Sequence, residues 1–193
     1  YIAISDTHGC HRQLKLPKGD VLLHAGDVCD QGNLEHVSDF LLWMSELDFE
    51  HKILIRGNHD FDLKNQVSLL DRKMPRGILQ LDHSGVEING NLIWGVPFTF
   101  IGKNKTWESI PKSTQILITH QPPYSILDLT PTLTSRGEKG LLERVKYVQP
   151  EIHLFGHIHA SYGRKKIDKT TFLNASAYKA SENRIENAPF IFE

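Results

Sequence analysis

The sequence predicts an α/β fold, in which short buried strands are connected by helices and loops. Three observations support this class. Several short apolar runs have the length of buried strands, the first third of the chain follows a β-α-β order, and Asn89-Gly90 marks a hairpin turn in the middle. A β-α-β order is typical of parallel strands joined by a crossover helix. We therefore expect mixed sheets in a single domain over residues 1–193.

The first third contains three predicted strands, over residues 1–5, 20–25 and 52–56. Between the first two, residues 6–19 form a loop with a short helical turn. Residues 34–47 place apolar side chains at mixed three- and four-residue spacing, which predicts an amphipathic helix with Asn33 as its N-cap. Residues 63–74 are predicted to be partly helical.

The middle of the chain changes character. Short apolar pieces over 77–82 and 84–98, around Asn89-Gly90, predict antiparallel strands. Residues 99–114 are polar and predict a loop with one or two helical turns around Trp107. A buried strand follows over 115–119, and then a long loop over 121–137 that is rich in Pro and Thr. Loops of this length are often functional.

The last third begins with a predicted helix over residues 138–148, which Pro150 ends. A buried strand over 151–156, a hairpin around Asp168-Lys169 and a final strand near 189–193 complete the chain.

Composition narrows the class of protein. The 193 residues are 39% hydrophobic and 23% charged, with a net charge of -1, as in an average globular protein. This charge argues against a protein devoted to nucleic-acid backbones or anionic membranes, and we read Arg164-Lys165-Lys166 as a solvated hairpin. No apolar run is long enough for a membrane helix.

The two cysteines, Cys10 and Cys29, cannot form a disulfide framework and suit a reducing compartment. Each follows a candidate ligand by two residues, but packing is expected rather than ligation. With no visible signal peptide, we expect a cytoplasmic protein. The chain starts without Met and inside a predicted strand, so the presence of further residues upstream of Tyr1 is left open.

Five apolar runs share one property: each ends on side chains that can bind metals or transfer protons. If the runs belong to one sheet system, their carboxyl ends converge on one site. The residues at the five ends are Asp6 and His8; Asp27 and Asp30; Asn58, His59 and Asp60; His120; and His157 and His159.

Two pairs of these residues, Asp6 with His8 and His157 with His159, have i, i+2 spacing, which puts both side chains on one face of an extended chain. Two such pairs suit two metal ions better than one, and Asp27 can bridge them. With Asn58 and His120 the set comprises seven ligands. Two divalent cations and two carboxylates leave a formal charge of +4 - 2 = +2, which favours an anionic substrate such as a phosphoester.

Two metals about 3.5–4 Å apart would clamp an in-line displacement, with a metal-bound water as nucleophile. His59 is left over to protonate the leaving group, and Asp30 can hold its ring. A mixed nitrogen and oxygen ligand set without thiolate favours Mn, Fe, Zn, Ni or Co over Mg.

The ordered blocks Asp6-Thr-His8, Gly26-Asp27-x-x-Asp30, Gly57-Asn58-His59-Asp60, His120 and Gly156-His157-x-His159 resemble the five motifs of the calcineurin-like metallophosphoesterase superfamily. The resemblance implies Asp6, His8, Asp27 and His159 around one metal. It implies Asp27, Asn58, His120 and His157 around the other, with His59 as catalytic histidine and Asp30 as its partner. It also implies a four-layer αββα sandwich of two mixed sheets flanked by helices.

The stretches GDVLLHAGDV, THQPP, HLFGHIHASYG and FLNAS are similar to the brain-type metallophosphoesterase-domain group and its bacterial relatives. That group is associated with phosphodiester hydrolysis, including cyclic nucleotides, and some animal members carry glycine where this chain has His157. Serine/threonine protein phosphatases have Arg-Gly after the second Asp, whereas Gln31-Gly32 follow Asp30 here. Arg56 matches them and could contact phosphate, although an ion pair is favoured.

We therefore predict a dinuclear phosphodiesterase for small or cyclic nucleotide-like diesters, without membrane or stable nucleic-acid binding and with its oligomeric state open. The alternatives are a phosphomonoesterase, a nuclease, or a non-catalytic protein-binding scaffold on the same fold. Histidines outside the motifs are expected to be structural: His24 and His153 packed and hydrogen-bonded, with His11 the first exception to consider. Four aromatic side chains could stack on a base but more commonly pack: Trp94, Phe98, Tyr124 and Tyr162.

Overall fold

A computed structural model describes residues 1–61, 68, 70, 74–99 and 107–193. In this part of the chain, two mixed β-sheets pack face to face, and one helix covers the outer face of each. The layers follow the order helix, sheet, sheet, helix. The α/β class and the αββα sandwich implied by the resemblance are therefore confirmed.

The first sheet has five strands in the order β13-β1-β2-β3-β4. Four of its strands run parallel, and the last strand of the chain pairs antiparallel with β1 at one edge. The strands are β1 (Ile2–Ile4), β2 (Val21–His24), β3 (His51–Leu54), β4 (Ile78–Gln80) and β13 (Phe190–Ile191).

The second sheet has six strands in the order β5-β6-β7-β8-β10-β9. Its four inner strands are parallel, and an antiparallel pair closes each edge. The strands are β5 (Ser84–Ile88), β6 (Asn91–Val96), β7 (Ile116–Thr119), β8 (Ile152–Phe155), β9 (Gly163–Ile167) and β10 (Thr170–Asn174). A separate two-stranded hairpin consists of β11 (Tyr178–Lys179) and β12 (Arg184–Ile185).

The central strands are apolar on both faces because each sheet lies between two layers. In β1, Ile2 and Ile4 pack against the helix of the first sheet, while Ala3 faces the second sheet. In β7, Leu117 faces the other helix and Ile118 faces the first sheet. Burial on both sides explains why these strands read as continuous apolar runs.

Two helices complete the layers. Helix α1 (Leu34–Glu46) covers the first sheet, and the Asn33 side chain caps it by accepting the backbone N–H groups of Glu35 at 2.9 Å and His36 at 3.2 Å. Helix α2 (Lys139–Val148) covers the second sheet, and Gln149 ends it in a left-handed conformation with φ of 53° before Pro150. Both predicted helices and the Asn33 cap are confirmed.

Most of the predicted strands are confirmed, and the helical turns occur at His11–Gln13 and Trp107–Ser109. The expected antiparallel arrangement over 77–82 is wrong, because β4 pairs parallel with β3, whereas β5 and β6 form the predicted hairpin. Two predictions fall largely or partly on residues outside the described part: the helical tendency over 63–74 and the start of the loop over 99–114. Within the described ranges, no helix combines the length and apolar character needed to cross a membrane.

Candidate metal centre

The five predicted strand ends meet at one edge of the sandwich, but they come from both sheets. β1, β2 and β3 contribute from the first sheet, and β7 and β8 from the second. The centre thus lies across the junction of the two sheets. Its residues are Asp6, His8, Asp27, Asn58, His59, His120, His157 and His159.

Four of these side chains sit on backbone that L-residues rarely adopt. Asp6, His8, Asp27 and His157 have φ values of 51°, 43°, 58° and 69°. A non-glycine residue in this left-handed region costs on the order of 1–3 kcal/mol and persists only where surrounding contacts hold it. This strain occurs where β1, β2 and β8 end and turn their polar side chains toward the centre.

Two glycines let loop backbone pass directly against the buried carboxylates. A Cβ atom on Gly156 would lie 1.9 Å from Asp6 Oδ2, and one on Gly57 would lie 2.1 Å from Asp27 Oδ1. Real Cβ atoms do not approach other atoms this closely, so any side chain at either position would displace a carboxylate.

The first cluster of candidate ligands consists of Asp6, His8 and His159. The Nε2 atoms of His8 and His159 are 3.2 Å apart, and His159 Nε2 lies 3.3 Å from Asp6 Oδ1. One potential ligand atom from each of the three residues lies within 4.8 Å of the others. Two imidazole nitrogens and a carboxylate oxygen converging in this way form a site that suits a divalent cation.

The second cluster consists of Asp27, Asn58, His120 and His157. Asn58 Oδ1 lies 2.9 Å from His120 Nε2 and 2.8 Å from His157 Nδ1, and His120 Nε2 lies 3.3 Å from Asp27 Oδ2. This cluster provides two nitrogens, an amide oxygen and a carboxylate.

Asp27 lies between the two clusters. The same oxygen that faces His120 is also 3.7 Å from His8 Nε2. Its other oxygen accepts the backbone N–H of His59 at 2.8 Å. The structure therefore places Asp27 where the sequence analysis expects a bridging ligand.

His59 joins this arrangement from the loop after β3. One of its nitrogens groups with ligand atoms of His8 and Asp27 within 4.8 Å. Its Nδ1 lies 3.2 Å from Asp30 Oδ1 and accepts the backbone N–H of Gln31 at 3.0 Å. The backbone contact makes Nδ1 an acceptor and places the ring proton on Nε2, while the Asp30 carboxylate lies beside the same Nδ1 atom.

A surrounding shell of hydrogen bonds orients the candidate ligands. His120 Nδ1 donates to the carbonyl of Ala25 at 2.8 Å, which leaves the Nε2 lone pair for a cation. Asp6 accepts the backbone N–H of His157 at 3.0 Å and the hydroxyl of Ser176 at 2.8 Å.

Asp60 ties the loops after β2 and β3 together. Its fully buried carboxylate accepts four backbone N–H groups, those of Asp27, Val28, Cys29 and Gly57, at 2.8–3.3 Å. Burial raises its pKa to about 6, and the negative charge of Asp27 adds to that effect.

Burial and nearby charges favour the protonation states in which Asp6, Asp27 and His157 can bind a cation. Burial opposes ionisation of Asp6 and Asp27, but His159 lowers the pKa of Asp6 and His120 lowers that of Asp27. Burial lowers the pKa of His157 to about 4. At neutral pH both carboxylates are therefore anionic and His157 is neutral.

The pKa of His120 is raised, whereas that of His157 is lowered. Burial would lower the pKa of His120. The charge and hydrogen bond of Asp27, the charge of Asp6 and the Ala25 carbonyl together outweigh burial and raise this pKa to about 9. A cation at Asp27 would therefore replace a proton on His120, as metal binding in proteins usually does. The donor types, the facing nitrogens and these protonation states fit divalent cations.

All seven predicted ligands, His59 and Asp30 are brought together. Arg56 is engaged elsewhere: its guanidinium pairs with Asp82 and lies 5.4 Å from the centre of the Phe61 ring. The two cysteines are free thiols, and Cys29 Sγ donates to the carbonyl of His59 at 3.0 Å.

Histidines outside the motifs have structural contacts. His24 Nε2 lies 3.2 Å from Thr7 Oγ1, and His153 Nε2 lies 2.9 Å from Thr119 Oγ1. Both rings are fully buried, which confirms that they are packed and hydrogen-bonded. His11 pairs with Asp39 at 2.9 Å, beside the aromatic rings of α1.

The sequence analysis missed three contributors: the anchoring role of Asp60, the Ser176 hydroxyl and the Tyr178 ring. Asp60 and Ser176 stood in recognised stretches, GNHD and NAS, but only packing reveals what each touches. Tyr178 lies 4.7 Å from the His8 ring and 5.7 Å from the His159 ring, and no sequence signal pointed to it. Phe98, an expected aromatic candidate, approaches His120 and His157 at 6.1 and 5.9 Å.

Comparison with known proteins gives one family match and two similar relatives. A family model described as calcineurin-like phosphoesterase matches residues 1–161. Human metallophosphoesterase domain-containing protein 1 is 32% identical over 229 aligned residues, which cover 100% of this chain and 70% of the relative. A UPF0046 protein of Caenorhabditis elegans is 31% identical, covering 99% of this chain and 73% of that protein.

Among solved structures, the phosphopantetheinyl hydrolase of Mycobacterium tuberculosis superposes with a TM-score of 0.62 and 16% identity, covering 91% of this chain and 88% of that one. At this identity the likeness concerns the fold alone.

Proposed function

Because this chain belongs to the calcineurin-like phosphoesterase family, we propose that it is a dinuclear metal-dependent phosphodiesterase acting on small or cyclic nucleotide-like diesters. The observation that carries the proposal is the convergence of seven candidate ligands and His59 at one junction of the two sheets. A scaffold on the same fold would have no need of this full set.

Two cations are proposed because the ligands form two clusters that share Asp27. Asp6, His8 and His159 would hold one cation with Asp27, and Asn58, His120 and His157 would hold the other with Asp27. When bound, such cations polarise phosphoryl oxygens and lower the pKa of water to near neutrality. Manganese, iron, zinc, nickel and cobalt all suit imidazole and carboxylate donors.

The protein's own residues supply positioning and proton transfer. His59 Nε2 would deliver a proton to the leaving-group oxygen, while the Gln31 backbone N–H donates to Nδ1 and the Asp30 carboxylate flanks the ring on that side. Such general acid catalysis typically contributes 10²–10⁴-fold. Asp27 adds a direct link, because it accepts the His59 backbone N–H and so joins the candidate acid to the bridging carboxylate.

The pairing of nearby cationic side chains bears on the choice between a diester and a monoester. A diester carries one negative charge at neutral pH, whereas a monoester carries close to two and benefits from additional cationic side chains. Two cationic groups on neighbouring segments of the described chain are ion-paired: Arg56 with Asp82, and Lys179 with Glu182 and Glu186.

A paired assay tests the proposal. The protein is stripped of metal, reloaded with Mn²⁺ and offered bis-p-nitrophenyl phosphate and p-nitrophenyl phosphate at equal concentration. We expect faster diester cleavage that chelator abolishes, followed by activity on a panel of 2′,3′- and 3′,5′-cyclic nucleotides. Faster monoester cleavage would replace the proposal with a phosphatase, and preference for oligonucleotides would replace it with a nuclease.

The scaffold alternative would be favoured by a different result. In that case the protein binds two Mn²⁺ ions and captures a protein partner, but it turns over nothing in a broad phosphoester panel. Asp27→Ala serves as the matched inactive control, since it removes the carboxylate that both clusters share.

A further inference from the structure

We propose that Tyr178 is a positioning residue that holds the imidazole rings of His8 and His159 in their metal-binding orientation. The inference rests on the proposed function and concerns a residue beyond the stretch that matches the family model, which ends at residue 161. Tyr178 opens the β11–β12 hairpin, and its ring contacts both imidazoles of the first cluster.

The hydrogen bonds of His8 explain why its ring needs such support. A metal-binding histidine usually fixes its ring by donating its second nitrogen to a carbonyl or carboxylate, as His120 does to Ala25. In the described structure, the buried Nδ1 of His8 has no hydrogen-bond partner, and the nearest carboxylate oxygen, on Asp30, is 3.8 Å away. The orientation of His8 therefore depends on ring packing.

Three rings provide that packing. His59 lies edge-on to His8 at 4.8 Å, His159 lies at 5.0 Å, and Tyr178 is the closest at 4.7 Å with an interplanar angle of 37°. The same Tyr178 ring meets His159 nearly perpendicularly, at 86°. Because one ring contacts both imidazoles, it restrains the two opposing Nε2 atoms relative to each other. Aromatic pairs of this kind contribute about 0.5–1.5 kcal/mol beyond their buried area.

The Tyr178 ring is itself fixed by the hairpin. Its hydroxyl donates to Asn183 Oδ1 at 2.9 Å, and Asn183 also contacts the Cys10 thiol. The Ile185 backbone N–H donates to Gln13 Oε1 at 3.0 Å, which fastens the hairpin to the loop that carries His8. The hydroxyl therefore forms its hydrogen bond within the hairpin, and the ring itself contacts the two imidazoles of the first cluster.

The test measures Mn²⁺ binding by calorimetry on the metal-stripped protein, alongside thermal unfolding and turnover. We expect Tyr178→Ala to weaken one of the two Mn²⁺ equivalents by roughly 10- to 100-fold, the usual effect of removing support behind a metal ligand. Turnover lost at low Mn²⁺ should return at high Mn²⁺, with little change in substrate KM. Tyr178→Phe, which keeps the ring, should stay within about threefold of the wild-type affinity.

Two further variants control for loss of folding and for nonspecific effects of removing a tyrosine. Tyr178→Leu preserves apolar volume and keeps the fold testable if the alanine variant unfolds; it should also lose Mn²⁺ affinity, because it lacks the planar ring. Tyr147→Ala removes an exposed tyrosine of α2, which contacts Lys112 and Arg144, and should change neither binding step.

The outcomes separate this inference from the function on which it rests. Two Mn²⁺ equivalents in the wild type, with unchanged affinities in Tyr178→Ala and Tyr178→Leu, would overturn the positioning role and leave the proposed function intact. A wild-type protein that binds no Mn²⁺ and cleaves no phosphoester would overturn both.

Discussion

Substitution of Gly156 by alanine is the sharpest test of how closely the loops enclose the candidate metal centre. The new Cβ would lie 1.9 Å from Asp6 Oδ2 and 2.2 Å from Ser5 Oγ, whereas ordinary contact begins at 3.4 Å. One of the groups must therefore move by about 1.5 Å, the difference between 3.4 and 1.9 Å. Asp6 and Ser5 are both fully buried and have no solvent to move into.

The cost can be estimated from the contacts that such a movement breaks. Asp6 accepts the His157 backbone N–H and the Ser176 hydroxyl, and hydrogen bonds to charged groups contribute about 1.5–3 kcal/mol each. Overpacking adds about 1–3 kcal/mol. Losing one such bond together with the overpacking gives roughly 2.5–6 kcal/mol, which for a chain of this size lowers Tm by at least about 5 °C.

The assay combines thermal unfolding with metal analysis after Mn²⁺ loading. We expect Gly156→Ala to lose the cation of the Asp6 cluster and all measurable diester turnover. Gly163→Ala is the matched control, because its Cβ would meet nothing closer than 3.6 Å, and it should retain the wild-type metal content. Ser176→Ala removes one Asp6 hydrogen bond without a clash and should give a smaller loss. If Gly156→Ala keeps wild-type Tm and metal content, the close approach to Asp6 does not constrain the site.

Three other perturbations test separate parts of the centre. His59→Ala should retain both cations but lose 10²–10⁴-fold in turnover of diesters with poor leaving groups, measured against p-nitrophenyl substrates, and equal losses on both substrate types would remove its acid role. Asp27→Ala should cost both cations by elemental analysis, and retention of two per chain would contradict bridging. Burial lowers the pKa of His153 to about 3, so below about pH 6.5 the unfolded chain binds a proton that the folded chain excludes. Stability should therefore fall as pH drops from 6.5 toward 3, and His153→Gln should flatten that slope by about 1 kcal/mol per pH unit in urea unfolding; an unchanged slope would show that His153 is protonated in the fold.

The sequence was sufficient to predict most of the strands, including the five whose polar ends meet at the centre. Runs such as Ile2-Ala3-Ile4 and Ile116-Leu117-Ile118 are apolar because both faces of their sheets are covered, and the residues that follow each run carry the chemistry. The same continuity hides how the strands divide between two sheets. A strand with two buried faces gives no sign of which layer it joins, so the family resemblance implied two sheets, and the assignment of each strand to its sheet came from the structure.

Pairing partners and supporting contacts were harder to predict. β4 follows a strong parallel strand and precedes a hairpin, and its short apolar run fits either neighbour, yet it joins β3. The two-residue strands of the β11–β12 hairpin are too short for a periodic pattern, and Tyr178 stands outside every motif. Its ring packs against His8, 170 residues earlier in the sequence, as well as against His159, and the first of these contacts cannot be seen in local sequence.

The segment after residue 161 supports the candidate metal centre through hydrogen bonds. Asn174 donates to the carbonyls of Leu127 and Ile158, which holds the loop that carries His157 and His159. The same asparagine accepts the backbone N–H of Ser176, and the Ser176 hydroxyl binds Asp6. This chain of contacts joins the first ligand loop to the last through residues that supply no ligand themselves. Since Asp6 and His157 both occupy left-handed backbone, the hydrogen bonds of this segment offset strain at the two loops where the first cluster is assembled.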